Sequence, residues 1–425
     1  MSNRRLPLRP DLTQLKHQAK DLLRAFRKGD PSARAEFEQH HPEPIDAASA
    51  KLADAQLVLA RSYEASSWPR LVQACELIDA IWRDDADAIR TLVTKHPLLL
   101  HENATIRKSH WGPPLSFAAN LGRDRIITLL YQLGATDLAQ AANRAVLQGQ
   151  IETARMLYRM MGDPQPPRGA VMDPCETLSP AGLAFVLERG AELCDAHGNR
   201  LAPVAMLLQT YSRHPAGKHE CLDLVERRGI ELHGIELPDT PPMAVHRGRI
   251  DLLEAHLARD PELLSRTFAL EEFYPPSLGC LIERWHPFHG TPLDGATLLP
   301  MAIDYGELEI ARWLIDHGAD VNAPARIDPE GFGGHTPLFS CVVSYWWYLR
   351  SKYAHPKPTD DPFTDLLLTH GANPNARASL RSRIHDTEMH EYRDVTPVAW
   401  GERFHARELV CEPALQMIAE RGGRT

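Results

Sequence analysis

Residues 295–322 read GATLLPMAIDYGELEIARWLIDHGADVN, and this stretch decides the fold. Thr297-Leu298-Leu299-Pro300-Met301-Ala302 opens one helix, Tyr305-Gly306-Glu307 turns the chain, and Ile310-Ala311-Arg312-Trp313-Leu314-Ile315 forms a second. Ala302 and Ile303 lie on the first helix, where small side chains let neighbours approach closely. Ile310, Trp313 and Leu314 fall on one face at helical spacing. Gly318 stands where the second helix ends and the chain needs positive φ, which costs glycine little. Asp320 and Asn322 suit the tight turn after it. One such unit cannot bury its apolar faces alone, so about three or more stacked neighbours are required.

Outward from this stretch the signature recurs with losses. Residues 111–135 keep Pro114-Leu115-Ser116-Phe117-Ala118-Ala119, then Leu121-Gly122-Arg123 and Gly134-Ala135. Residues 137–162 keep Ala141-Ala142 and Gly149-Gln150-Ile151-Glu152. A Pro-rich break at 164–177 precedes a poorer pair of units at 178–235. The segment 240–268 restores Thr240-Pro241-Pro242-Met243-Ala244 and Arg247-Gly248-Arg249-Ile250. Two later units open at Gly334-His335-Thr336-Pro337-Leu338 and at Thr396-Pro397-Val398-Ala399-Trp400.

These residues resemble the ankyrin repeat, whose pattern is G-x-T-P-L-H-x-A-A, a glycine turn, then E-I-V-x-x-L-L-x-x-G-A-D-V-N. The resemblance implies an all-α ankyrin-repeat solenoid of about nine partly degenerate repeats over 76–425, with hairpin loops between helix pairs. It also implies a protein that holds partners rather than one that catalyses. Measured against the ankyrin period of about 33 residues, three segments read as insertions: 270–294, 341–362 and 376–395. The second is expected to extend the helices around it, and the third falls in a hairpin.

Ahead of the array, residues 11–28 form an amphipathic helix capped by Asp11 or Thr13, with Leu12, Leu15, Ala19, Leu22 and Phe26 as its stripe. A second helix is expected over 47–62, followed by Ser67-Trp68-Pro69-Arg70-Leu71. This pattern resembles a helical module that precedes ankyrin arrays in bacterial proteins, and residues 1–75 are read as a cap for the first repeat.

Composition narrows the function classes. The chain has 425 residues and a net charge of −9, against a general nucleic-acid-binding surface. No apolar run approaches the roughly 20 residues of a membrane span. The start, MSNRRLPLRPDLTQLK, lacks the apolar core of a signal peptide. Seven scattered cysteines without C-x-x-C read as reduced thiols, and the cytoplasm is the expected compartment.

Insertions in a solenoid commonly mark the binding face, and these three are rich in aromatic and cationic residues. Trp285, His286, His289, His335, Tyr345, Trp346, Trp347, Arg381 and Arg383 are the candidate site residues. Aromatics with arginine make interface anchors and could also stack against sugars. Inserted helices need a core too, so about half of these rings are expected to pack inward. His286 and His289, joined by His335 or His385, suggest a metal only weakly, because Pro287 intervenes and no Cys or acid falls at ligand spacing. No metal or cofactor is expected. Glu271, Glu272, Glu283, Asp294, Asp304, Glu307, Asp328, Glu330, Asp360 and Asp361 could supply a glycosidase pair, but they read more simply as solvated faces. No nucleophile elbow, P-loop or zinc-protease motif is present. Two functions therefore stand. The first is a scaffold that binds another protein through its concave face and C-terminal insertions. The second is a small-molecule or saccharide site between those insertions, with a carboxylate-dependent hydrolase as its catalytic form.

Overall fold

Many of the helices begin with a proline in the first turn, behind a side chain that takes up a free amide. Ser67, Ser179, Thr240, Asp361 and Thr396 each accept the N–H three residues on. A capping oxygen and a residue with no N–H to leave unpaired both favour a helix start. The computed structural model describes residues 4–233, 236–282, 289–352, 354, 356–384 and 388–425, without the side chains of 230–233. These form two compact units, Met1–Gln165 and Pro166–Thr425, that divide at the Pro-rich break.

The first unit opens with helices Leu12–Arg27, Pro31–His40 and Leu52–Ser62. Asp11 caps the first, and Leu15, Ala19, Leu22 and Phe26 are its buried residues. Phe26 stacks on Phe37 with ring centroids 3.8 Å apart. The helix expected from 47 starts instead at Leu52, where Asp54 accepts the Lys51 N–H. Trp82 Nε1 donates to Leu8 O at 2.9 Å and ties the N-terminal segment to helix Trp68–Trp82. Three helix pairs follow: Trp68–Trp82 with Ala86–Lys95, Pro114–Asn120 with Asp124–Gln132, and Leu138–Leu147 with Ile151–Met160. Their first helices pack in a row.

The second unit continues the plan. Its pairs are Met172–Glu176 with Pro180–Glu188, Ala202–Gln209 with Pro215–His233, Pro241–His246 with Ile250–Arg259, and Leu298–Tyr305 with Leu308–Asp316. Two more are Pro337–Val342 with Pro362–Thr369, and Pro397–Arg403 with Glu412–Glu420. Helices Pro241–His246, Leu298–Tyr305, Pro337–Val342 and Pro397–Arg403 pack successively into an inner row. The fold is all-α and of ankyrin-repeat type, apart from one ribbon.

The insertion at 341–362 does not lengthen its neighbours as the sequence suggested. The inner helix stops at Val342, because Val343 bridges Val410 and the Ser344 N–H donates to Leu409 O at 3.0 Å. A separate helix, Tyr345–Lys352, follows. Residues 376–395 fold into an antiparallel ribbon of Ala378–Ser382 and His390–Val395, with Arg381 opposite Glu391.

Two positions in this unit yield tests. Gly306 turns the chain at φ 77°, and a Cβ there would lie 2.2 Å from the Trp346 ring. Gly306→Ala is expected to lower stability by at least about 1–2 kcal/mol from backbone strain alone, read by chemical denaturation. Asp361 is 2% exposed while capping Pro362–Thr369, and burial raises its pKa to about 6. A carboxyl raised in the folded state contributes stability below its unfolded pKa of 3.8, and that contribution is lost as pH rises through about 6. Asp361→Asn keeps a capping oxygen and removes the titration. The melting temperature of the variant relative to wild type should therefore climb between pH 4 and 7.

Candidate functional site: a buried polar lock and a hairpin strip

The chemically richest place in the second unit is buried. Arg213 follows helix Ala202–Gln209, and its side chain is fully covered. One terminal nitrogen meets Asp304 Oδ2 at 2.9 Å, Nε donates to the Asp304 carbonyl at 2.8 Å, and the other terminal nitrogen reaches Thr210 O at 2.7 Å. Asp304 lies on the inner helix Leu298–Tyr305, where the repeat usually carries small or apolar side chains. Burial opposes its charge, but the Arg213 guanidinium and His289 hold its pKa below the usual carboxylate value.

His289 extends the network. Burial lowers its pKa against the pull of Asp304, so the neutral ring donates from Nδ1 to Asp304 Oδ2 at 2.8 Å. Nε2 then accepts from the Tyr274 hydroxyl at 2.7 Å. Tyr274 and Tyr305 bring their hydroxyls to 2.5 Å, and Tyr305 donates to Leu208 O at 2.8 Å. Lys218 is 1% exposed, with Nζ 3.5 Å from the centre of the Tyr305 ring. It meets His246 Nδ1 at 2.5 Å, while His246 Nε2 donates to Phe273 O at 2.9 Å. Burial drives both Lys218 and His246 well below their ordinary pKa values. These contacts tie the poorer units of 178–235 and the insertion 270–294 to the best-formed repeat.

A second feature lies along the hairpins. Phe268 N–H donates to Ala296 O, Gly295 N–H to Phe268 O, and Arg326 N–H to Gly295 O, each at 2.9 Å. Ala325 N–H donates to His335 O at 2.9 Å and Gly334 N–H to Ala325 O at 3.0 Å. Gly333 and Ser379 exchange both N–H···O bonds, at 2.7 and 3.2 Å, which joins the ribbon. Successive hairpins thus form one backbone-bonded strip. Arg381 braces it by binding Asp328 at 2.6 Å and also Glu330, and its guanidinium lies over the Phe332 ring at 4.4 Å. Arg393 also lies over that ring at 4.3 Å.

Two small clefts open on the strip. One, of about 30 Å³, is lined by His289, Asp294, Arg381, Arg383 and Ile384. The other, of about 50 Å³, is lined by Arg326, Asp328, Phe332, His335 and Ser379. His335 is buried, its pKa is pushed down to about 4, and its neutral ring donates from Nε2 to Pro292 O at 2.8 Å. Arg326 and Arg383 are exposed and form no ion pair among the described residues, and Ile327, next to Arg326 in the chain, is 63% exposed.

The candidate residues separate accordingly. His289, His335, Arg381 and Arg383 come together around the clefts. Tyr345 and Trp347 are buried, and Trp346 packs edge-on to Phe363 with Arg350 over its face. Trp285, His286 and His385 lie outside the described residues. Three acids read as solvated are not: Asp304, Glu307 and Asp361 are buried, and Glu307 accepts from His219 at 2.7 Å. Sequence reading missed Arg213, Lys218 and His246. The available signal was a charged residue, Asp304, within the apolar run of an inner helix, which requires a buried counter-charge. No described helix is long and apolar enough to cross a membrane.

Removing one partner of a buried ion pair leaves the other uncompensated. Asp304→Ala should therefore lower stability by about 3–5 kcal/mol, and Tyr274→Phe by about 1–3 kcal/mol, both read by denaturant unfolding. An Asp304→Ala variant as stable as wild type would show that the lock does not hold this unit together.

The ankyrin repeat family matches residues 294–326. The chain is similar to the ankyrin repeat domain of human ASB11, at 15% identity over 73% of this chain and 99% of that one, with a TM-score of 0.24. It is also similar to the ankyrin repeat domain of Bcl-3, described as a unique member of the IkappaB family. There the identity is 14%, over 81% of this chain and 97% of that one, with a TM-score of 0.19. No curated protein matches the sequence. Residues 294–326 are thus an ankyrin repeat, set within a fold built from helix pairs of the same kind.

Proposed function

We propose that this chain is a protein-binding ankyrin array whose docking face is the hairpin strip of the second unit. The observation that carries the reading is the backbone continuity of the strip from Phe268 to the ribbon, with Arg326, Ile327 and Arg383 exposed along it. A preformed face loses little conformational entropy when a partner binds. An exposed isoleucine next to Arg326, unpaired among the described residues, supplies an apolar anchor with polar surroundings, the usual anatomy of a hot spot and its rim. Tyr345 and Trp347 serve this reading from inside, as core of the inserted helix. The seven cysteines are free and buried, which supports a reducing cytoplasm as the working compartment.

The saccharide or metabolite reading calls for a chamber of about 300–1,000 Å³. The two clefts on the strip offer about 30 and 50 Å³, room for water or a single side-chain tip. They suit side chains of a partner that lies across the strip.

A photo-crosslinking amino acid at Ile327 or Arg383 should capture a discrete partner in extract of the source cells. The same group at Arg312, exposed on the outer helix Leu308–Asp316, should not. Equal capture from both faces, or from Arg312 alone, would contradict the assignment.

A further inference from the structure

We propose that helix Leu12–Arg27 is a second docking surface and that its occupant is an acidic helix of a partner protein. Residues 1–30 hold eight Lys and Arg against three Asp, a local charge of +5 in a chain of −9, so the remainder carries −14. At 3.6 residues per turn, Lys16, Lys20, Arg24 and Arg27 fall within a sector of about 80° beside the buried stripe. All four are exposed. Arg24 meets Asp21 at 2.9 Å and Arg27 donates to Ala50 O at 2.6 Å, whereas Lys16 and Lys20 make no ion pair among the described residues. Nearby, Arg34 places its guanidinium 3.1 Å from where a Cβ would stand on Gly29, at the end of the same helix.

Helix stability explains only part of this row. Cations in the last turn favour the helix dipole, which accounts for Arg24 and Arg27. Lys16 and Lys20 stand earlier, where like charges at i and i+4 are destabilising and the dipole offers nothing. The residues that hold the helix down are Leu15, Ala19, Leu22 and Phe26, and none of them needs the cations.

The occupant follows from what the row lacks. A membrane-surface helix must present an apolar face to lipid, and here that face is buried. A nucleic acid is favoured by a broadly basic protein and by aromatic or arginine platforms for bases. This chain is acidic beyond the helix, and the exposed sector carries no aromatic. An acidic helix with carboxylates at three- and four-residue spacing matches the cation row rise for rise. It need engage the field only within a Debye length of about 8 Å.

The test uses the full chain and fluorescence anisotropy at low and physiological salt. The first probe is a synthetic helical peptide with Glu at i, i+4, i+8 and i+11. The others are a peptide of the same composition with its Glu residues redistributed, and a duplex DNA oligonucleotide. The matched peptide should bind, and more weakly in salt. Redistribution should cost at least about threefold, and Lys16→Glu with Lys20→Glu at least about tenfold. The variant should melt no lower than wild type, because Lys20→Glu turns the like-charge contact with Arg24 into an opposite-charge one while the 16–20 pair stays like-charged, whereas a purely structural role would lower its melting temperature. Equal binding of both peptides, or affinity unchanged in the variant, would overturn the proposal. Tighter binding of DNA that is lost in the variant would reassign the row to phosphate. A dimer of the chain abolished by the variant would reassign it to a second copy.

Discussion

The second unit depends on one buried ion pair. Arg213 and Asp304 lie 91 residues apart in sequence and 2.9 Å apart in space, and neither charge has access to water. Each would be severely destabilising alone in an apolar interior. Together they fix where the irregular segment after Gln209 meets the inner helix of the ankyrin repeat. Because Asp304 also receives His289, and His289 receives Tyr274, the same carboxylate sets the course of the insertion 270–294. An apolar contact would tolerate sliding, whereas this network has directional partners at every step.

From that anchor the exposed architecture follows. His289 belongs to the lock and also lines a cleft beneath Arg383, so buried chemistry and surface geometry share a residue. The hairpins next to it bury Phe268, Leu293, Ala325, Phe332 and Leu380. They are held by backbone bonds from one hairpin to the next, by Arg381 between two carboxylates, and by Phe332 under two guanidiniums. Polar bracing of this kind leaves Arg326, Ile327 and Arg383 outside it and available. The N-terminal helix shows the same division, with an apolar stripe that folds it and two lysines, Lys16 and Lys20, that make no ion pair among the described residues.

What was legible in the sequence was local. Gly306 and Gly318 marked turns because only their backbone conformation suits those positions. The Thr-Pro openings marked helix starts because cap and missing N–H act within one turn. Where those marks recur, the described helix pairs recur with them. What was illegible was long-range. Nothing near Arg213 states that its partner is Asp304, and a lysine at 218 looks like any surface lysine until the fold covers it. The run Tyr345 to Tyr348 was readable as aromatic but not as core, since burial of Tyr345 and Trp347 depends on neighbours far along the chain. Arg381 and Arg383 were singled out together, yet one is clamped and the other free, because the strand ends at Ser382 and Arg383 lies beyond it.

The central claim is that the hairpins of the second unit form a preformed, backbone-bonded face rather than independent loops. Native-state hydrogen exchange on the full chain tests it most directly. The amides of Phe268, Gly295, Arg326, Gly333, Gly334 and Ser379 all donate within the strip. They should be protected to a degree comparable with the inner helix Leu298–Tyr305. Exchange at the rate of unstructured loops, with that helix still protected, would contradict the account.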